Sequence, residues 1–365
     1  MTKDSSFVSY HIIGDAFVDL FCFVEGNLPE LGGDSRLSLP VKSMAGGSAT
    51  NSATHLKALL NSDSFWKKDK DTDTSEDPSE VNLYSTVNPN DDYGKLMLNH
   101  AQQHGYNFSN CNKDGNEAST GHCLVVVCQG DRSFMTHPGC VQDFHASDVH
   151  YETIISDSSN HIHLHVAGYY NIEGFWHGKL KEKIDSVRAE RKRRHPESTV
   201  SISLVPQHDA TGVWDGGLSE LLPLLNFAIM NDVEAQHIAK GSSIEHWSDF
   251  FTQHCANTWV IVTHGKEGAI AIRNGEVHAR QAAVAVDPVD PTGAGDSFIS
   301  GFLYGTWEWL KENNASGEDG WPVEAVQQGL LWGCSVATCS VLTRGASVPS
   351  SAADIQSFVN QTQDL

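Results

Sequence analysis

Short runs of consecutive apolar residues alternate along the chain with stretches in which apolar positions recur every three or four residues. SYHIIGDAFVDLF opens the pattern as a buried strand, and SATNSATHLKALL reads as a helix. VNLYSTV reads as the next strand and YGKLMLNHAQQHG as the next helix. HIHLHVAGYY, TVSISLV, NFAIMN and TWVIVTHG follow, each strand-like, with helical segments between most of them. Alternation of this kind predicts an α/β fold: a three-layer sandwich whose central, mostly parallel sheet is covered on both faces. Ligands of such sheets bind at the carboxyl ends of the strands.

Two regions break the pattern. In residues 35–43, Leu37, Leu39 and Val41 alternate with Ser38, Pro40 and Lys42, and residues 119–136 read as a hairpin turning at Gly130-Asp131. Both are expected to be antiparallel strands outside the main sheet, forming a small β lid from about residues 17–43 and 119–138 of a single domain, 1–365. Residues 67–80 are charged and almost free of apolar side chains, which predicts a flexible surface insertion, and 312–320 a second loop. The basic run from Arg188 to Arg194 ends a helix-like stretch before Pro196 and is expected to be a solvated helix end.

Charge and composition narrow the class. With 46 acidic against 24 basic residues, the net charge of −22 disfavours nucleic-acid and anionic-membrane partners, which need a basic surface. The 39% hydrophobic content is globular, without an apolar leader or an uninterrupted span of about 18 apolar residues. The eight cysteines make no CxxC pair, so reduced structural thiols and a cytoplasmic location are expected. His161, His163 and His165 share one face of a strand, a spacing that also suits metal ligation.

The chemistry concentrates in VDPTGAGDSFISGFLYG, residues 289–305. Gly293, Ala294 and Gly295 are small enough for a sharp turn that brings backbone N–H groups against an anion at the start of a helix. Asp296 follows. Beside a phosphate-binding turn it can take a proton from an attacking hydroxyl; equally, it can cap the helix.

DPTGAGDSF resembles the C-terminal signature of the PfkB, or ribokinase-like, carbohydrate kinases, D-T-x-G-A-G-D, with Pro291 in place of the usual Thr. GDAFVD (14–19), PELGGD (29–34), AGGSATN (45–51), NDVEA (231–235), VTHGKEGA (262–269) and TRGASVP (343–349) are similar to further family segments in the family's order. The resemblance covers nearly the whole chain. It implies a ribokinase-like fold and ATP-dependent phosphorylation of a hydroxyl, expected to be primary, with Asp296 as base and the amides of Gly293, Ala294 and Gly295 as anion hole. It places Asp19, Gly46, Gly47 and Asn51 at the acceptor, and Asn171 as a weaker candidate. Asn231, Thr263, Gly265, Gly268, Gly293 and Gly295 fall to ATP, with the segment near 330–345 flanking the base. Glu234 would organise hydrated Mg²⁺, which keeps most of its waters. Asp290 and Thr292, with Gly345 and Ser347, match a K⁺ site. The resemblance also assigns the histidine strand to the main sheet rather than to a metal.

The acceptor is expected to be a free sugar or sugar derivative. Phe17 and Ser48 stand where ribokinases proper carry Asn and Lys, which counts against ribose itself. AGGSATNS is reminiscent of adenosine kinases, so a nucleoside acceptor is the alternative, although the stretch between Asp19 and Ala45 is shorter than their lid insertion. A catalytically silent binding or regulatory subunit would be expected to lose the base or its glycines, and both are present. Val205 replaces an Asp usual in relatives. Leu37, Leu39 and Val125 on a thin lid predict a homodimer joined through the lids.

Overall fold

The structure is a computed structural model that describes residues 7–62, 79–129, 131–315, 317 and 320–365. In chain order its strands are β1 (Val8–Gly14), β2 (Phe17–Phe23), β3 (Lys42–Gly46), β4 (Glu80–Ser85), β5 (Asn107–Asn110), β6 (His122–Cys128), β7 (Asp131–His137), β8 (His161–Ala167), β9 (Thr199–Val205), β10 (Phe227–Asn231), β11 (Trp259–Thr263), β12 (Ala269–Arg273) and β13 (Glu276–Gln281). The helices are α1 (Ser48–Asn61), α2 (Asp92–His104), α3 (Tyr151–Ser156), α4 (Lys179–Arg194), α5 (Leu218–Leu221), α6 (Asp232–Ala239), α7 (Ile244–Cys255), α8 (Ala294–Asn313), α9 (Val323–Ser340) and α10 (Ala352–Gln363).

Nine strands form the central sheet in the order β5-β4-β1-β8-β9-β10-β11-β12-β13. Pairings from β5 through β11 are parallel, and β12 and β13 close the edge antiparallel. Successive side chains of a strand point to opposite faces, and here both faces are apolar. Phe227 and Ile229 of β10 pack under α1, α8 and α9, while Ala228 and Met230 pack under α4, α6 and α7. That is the three-layer arrangement the alternation predicts.

A four-stranded sheet, ordered β3-β2-β6-β7, stands apart. Its β2–β3 and β6–β7 pairings are antiparallel, whereas β2 and β6 run parallel. Phe21, Cys123 and Val125 are buried together on it, so Val125 is not exposed as its place in the sequence suggests. Leu37, Leu39, Val41, Phe134 and Met135 are exposed.

Three expectations need correction. SYHIIGDAFVDLF is not one strand: the chain leaves the main sheet at Asp15-Ala16, and β2 joins the small sheet. Residues 35–43 form no continuous strand, only an isolated bridge between Val24 and Leu37 before β3 begins at Lys42. Pro40 has no N–H to give a ladder and breaks the pairing there. The basic run is not wholly solvated. Arg191 is fully buried, and its guanidinium donates to the carbonyls of Ile154 at 3.2 Å and Ser159 at 2.8 Å, and to those of Ile155 and Asp157. One basic side chain thus closes the end of α3 and the loop leading to β8.

Of the acidic insertion, residues 67–78 lie outside the described residues, and Glu80 already begins β4. In the second expected loop α8 continues to Asn313, and residues 316, 318 and 319 lie outside the description. His163 and His165 are buried in β8, where His163 shares hydrogen bonds with Ser201 at 2.7 Å and Ser203 at 2.8 Å, and His165 with Ser203 at 2.7 Å. Burial holds both imidazoles well below their ordinary pKa. All eight cysteines are unpaired thiols. Among the described residues no helix is long and apolar enough to cross a membrane.

Candidate active site

The carboxyl ends of β9, β10 and β11 line a cavity together with Pro291, Gly293 and the first turn of α8. Gly293 is the residue before α8, at φ 75° and ψ 5°. A side chain there would be strained, and its Cβ would lie 2.6 Å from that of Ala346. Gly295 differs: a Cβ would find no atom within 4 Å, because it points into open space. The first amides of a helix have no intrahelical acceptor and suit an anion; here the Ala294 N–H reaches the Pro291 carbonyl at 3.3 Å.

Asp296 does not cap α8. Its carboxylate turns back to other elements and accepts from the Ser48 hydroxyl at 2.7 Å, the Asn51 amide at 2.8 Å and the Gln207 amide at 3.2 Å. The side chain is buried, and desolvation raises its pKa to about 7 against the lowering effect of Asn51 and Ser48. Burial dominates because the charged form gives up more hydration than these donors return.

Asp296 belongs to a group of acids. Asp19, on β2, is raised to about 7 by burial and then by the charges of Asp15, Asp296 and Asp290. Its carboxylate lies against Gly46, where a Cβ would be 2.3 Å from Oδ2, so only glycine fits that position. Gly47 turns the chain at φ 87° into α1. Asp15 accepts from the Ala49 N–H at 3.2 Å and from the Asn171 amide at 2.6 Å, and burial raises it to about 6. Asn171 thus holds Asp15. Ser347 donates to the Asn51 side-chain oxygen, which orients the Asn51 amide toward Asp296.

Two adjoining cavities share Thr263, Pro291, Ala294 and Gly295. The polar one, 240 Å³, is lined by Asp296, Gln207, Asn231, Glu234, Gly293 and Arg132. The apolar one, 310 Å³, reaches Gly265, Gly268, Val284, Phe298, Ala337 and Val341. Their pairing suits a molecule with an anionic end and a flat apolar end. Asn231 and Glu234 form a reciprocal cap at the start of α6, with bonds of 2.8 and 3.0 Å. Glu234 faces the polar cavity, and burial lifts its pKa to about 7.

The donor sets fit the implied cations. Among the described residues no group of three or more His, Cys, Asp or Glu could cage a metal. A single buried carboxylate, Glu234, fits Mg²⁺ that retains its waters and leans on phosphate oxygens. Asp290 accepts from the N–H of Thr292 and of Gly345, each at 3.0 Å, which fastens the closing loop 343–349 to the start of the signature. The Thr292 hydroxyl beside it is buried without a hydrogen-bond partner, and an oxygen left in that state suits a monovalent cation.

Of the candidates read from the sequence, Asn51 and Ser347 join Asp296 through hydrogen bonds, Asn171 joins Asp15, Gly46 lies against Asp19, and Gly345 and Thr292 join Asp290. Asn231, Glu234, Thr263, Gly265, Gly268 and residues 293–295 line the two cavities; the histidines of β8 do not. Reading the chain missed Ser48 and Gln207, which bond Asp296, and Arg132, which enters the polar cavity from β7. Gln207 was detectable in principle, since it directly follows a strand's carboxyl end. Arg132 was not, because its place depends on how the small sheet folds over.

The family described as pfkB family carbohydrate kinase matches residues 10–353. An adenosine kinase of Schizophyllum commune is 25% identical over 203 residues, 50% of this chain and 56% of that protein. The match thus spans little more than half of that relative's length. The structure of ribokinase from Giardia lamblia superposes with a TM-score of 0.77 at 18% identity, covering 98% of this chain and 99% of that one. A fructokinase double mutant from Vibrio cholerae O395, solved with fructose, ADP and potassium ion, has a TM-score of 0.68 at 18% identity, covering 98% and 99%.

Proposed function

We propose, from the premise that the chain belongs to the pfkB family of carbohydrate kinases, that it transfers the γ-phosphoryl group of ATP to a primary hydroxyl of a sugar or sugar derivative. The observation that carries this reading is the buried Asp296, held at the mouth of a glycine turn whose open side is a polar cavity. Asp296 takes the proton of the acceptor hydroxyl, the new O–P bond forms, and the bond from Pγ to the bridging oxygen breaks to leave ADP. The amides of Gly293, Ala294 and Gly295 and the Arg132 guanidinium meet charge on the transferring group. Asp19 orients the acceptor. Asn231, Thr263, Gly265 and Gly268 border the nucleotide, whose base lies against Phe298, Ala337 and Val341. Mg²⁺ held near Glu234 would supply charge neutralisation on the phosphates. The small sheet serves as a lid that excludes water.

A nucleoside acceptor is the second reading, favoured by the likeness to an adenosine kinase. ADP release measured over a panel of free sugars and nucleosides separates the two. A sugar is expected to give the highest kcat/KM. Turnover of nucleosides alone would replace the first reading by the second, and ADP release no faster than without an acceptor would leave a silent binding subunit.

Cation dependence follows from the acids around the site. Activity is expected to require Mg²⁺ and to rise severalfold when K⁺ replaces a large organic cation, through Asp290, Thr292, Gly345 and Ser347. Indifference to that exchange would remove the monovalent site from the mechanism.

Phe134 and Met135 on β7 are exposed, as are Leu37, Leu39 and Val41 on the segment that leads to β3. Exposed apolar side chains on and beside a thin sheet favour a partner surface, and the reading is a homodimer clasped through the lids. Sedimentation at micromolar concentration is expected to give twice the chain mass; a monomer would exclude the clasp.

A further inference from the structure

Gln207 ends the segment after β9 in a conformation that side chains seldom adopt, φ 63°. The turn beyond it is ordered around a second acid. The buried carboxylate of Asp209 accepts from the N–H of Thr211 at 2.9 Å and of Trp214 at 2.6 Å. The outcome is a carboxamide aimed at the base: Gln207 Nε2 lies 3.1 Å from Ser48 Oγ and 3.2 Å from Asp296 Oδ1. Glycine would suit this backbone better, so the strain is maintained for the side chain.

An accounting of lone pairs says what the amide does. An ionised carboxylate offers about two acceptor sites on each oxygen. On Asp296, Oδ1 accepts from Ser48 and from Gln207 and is filled, whereas among the described residues Oδ2 accepts from Asn51 alone. Ser48 has its own direction fixed, because its oxygen receives the Gln207 N–H and its proton must then point at Asp296.

We infer that Gln207 is a positioning residue for Asp296, closing Oδ1 so that the acceptor hydroxyl delivers its proton to Oδ2. This rests on the kinase reading above. The amide also stabilises the ionised carboxylate against the like charges that face it, Asp15 beyond β1, Asp19 on β2 and Glu234 on α6, and acts in the same direction as the Arg132 cation that lines the polar cavity from β7. Removing the amide reopens a site on Oδ1 and makes the base harder to ionise.

Gln207→Gly tests this, since glycine accepts the left-handed backbone and the variant should melt no lower than the wild type. In the pH profile of kcat, the acidic limb is expected to move up by about one unit, so turnover falls about tenfold below the limb and recovers above it. A merely structural role would leave the limb where it was. The second measurement needs no turnover: the ¹³Cγ signal of labelled aspartate that is missing in Asp296→Asn should titrate about one unit higher in Gln207→Gly. A limb and a signal both unmoved in a folded variant overturn the inference. If the signal moves while no acceptor is phosphorylated, the inference about Asp296 stands and the kinase reading fails.

Discussion

Asp296→Asn should lower turnover by roughly 10²–10⁴-fold on whichever acceptor the enzyme phosphorylates, the range typical of general-base loss. The replacement keeps the size of the side chain, and the partners of the carboxylate are Ser48, Asn51 and Gln207 rather than amides of α8. Nucleotide affinity should stay level or improve, because a negative charge beside the phosphate site has gone. The pH profile supplies the sign. A base raised to about 7 is protonated and idle at lower pH, so wild-type kcat should climb as pH passes through that value. The variant's residual activity should lack this limb. Asp19→Ala is the control: it should act chiefly on the KM of the acceptor, since its bonds exist before and during transfer. Near wild-type kcat in a folded Asp296→Asn protein would refute the mechanism while leaving the family membership untouched.

Gly295→Ala should separate fold from function. At this position a Cβ meets nothing within 4 Å, and the residue lies in the first turn of α8. Alanine should therefore hold the melting temperature or raise it, since glycine in a helix is less stable by roughly 0.5–1 kcal/mol. The same methyl would project into the boundary shared by both cavities, where the phosphates must approach the turn. Loss of anion-hole contacts is expected to reduce kcat/KM by roughly 10²–10³-fold. Gly293→Ala makes the contrast, because a Cβ there collides with Ala346 and the variant should lose stability together with activity. Melting and steady-state kinetics on the two variants decide the matter. Unimpaired turnover in Gly295→Ala would mean that the phosphates do not lie against this turn.

What the chain determines by itself is local. Runs such as FAIM and WVIV are apolar at every position, so both their faces must be covered, and the covered parallel sheet follows. The order T-G-A-G-D dictates a tight turn entering a helix with an acid in its first turn, and the resemblance it carries supplied the remaining candidates. What only the tertiary structure decided is which partner each surface meets. Burial in β2 looks the same in the sequence whether the strand joins the large sheet or the small one, since periodicity reports a buried face and not its neighbour. Arg191 reads as solvated charge until the carbonyls of Ile154 and Ser159 converge on it from far along the chain. In the same way, whether Asp296 caps its helix or serves as a base depends on Ser48, Asn51 and Gln207, long in sequence from it and brought together only when α1, α8 and the end of β9 pack. Hydrogen bonds between distant segments leave no period in the chain, so the arrangement that gives this acid its neighbours exists only in the folded protein.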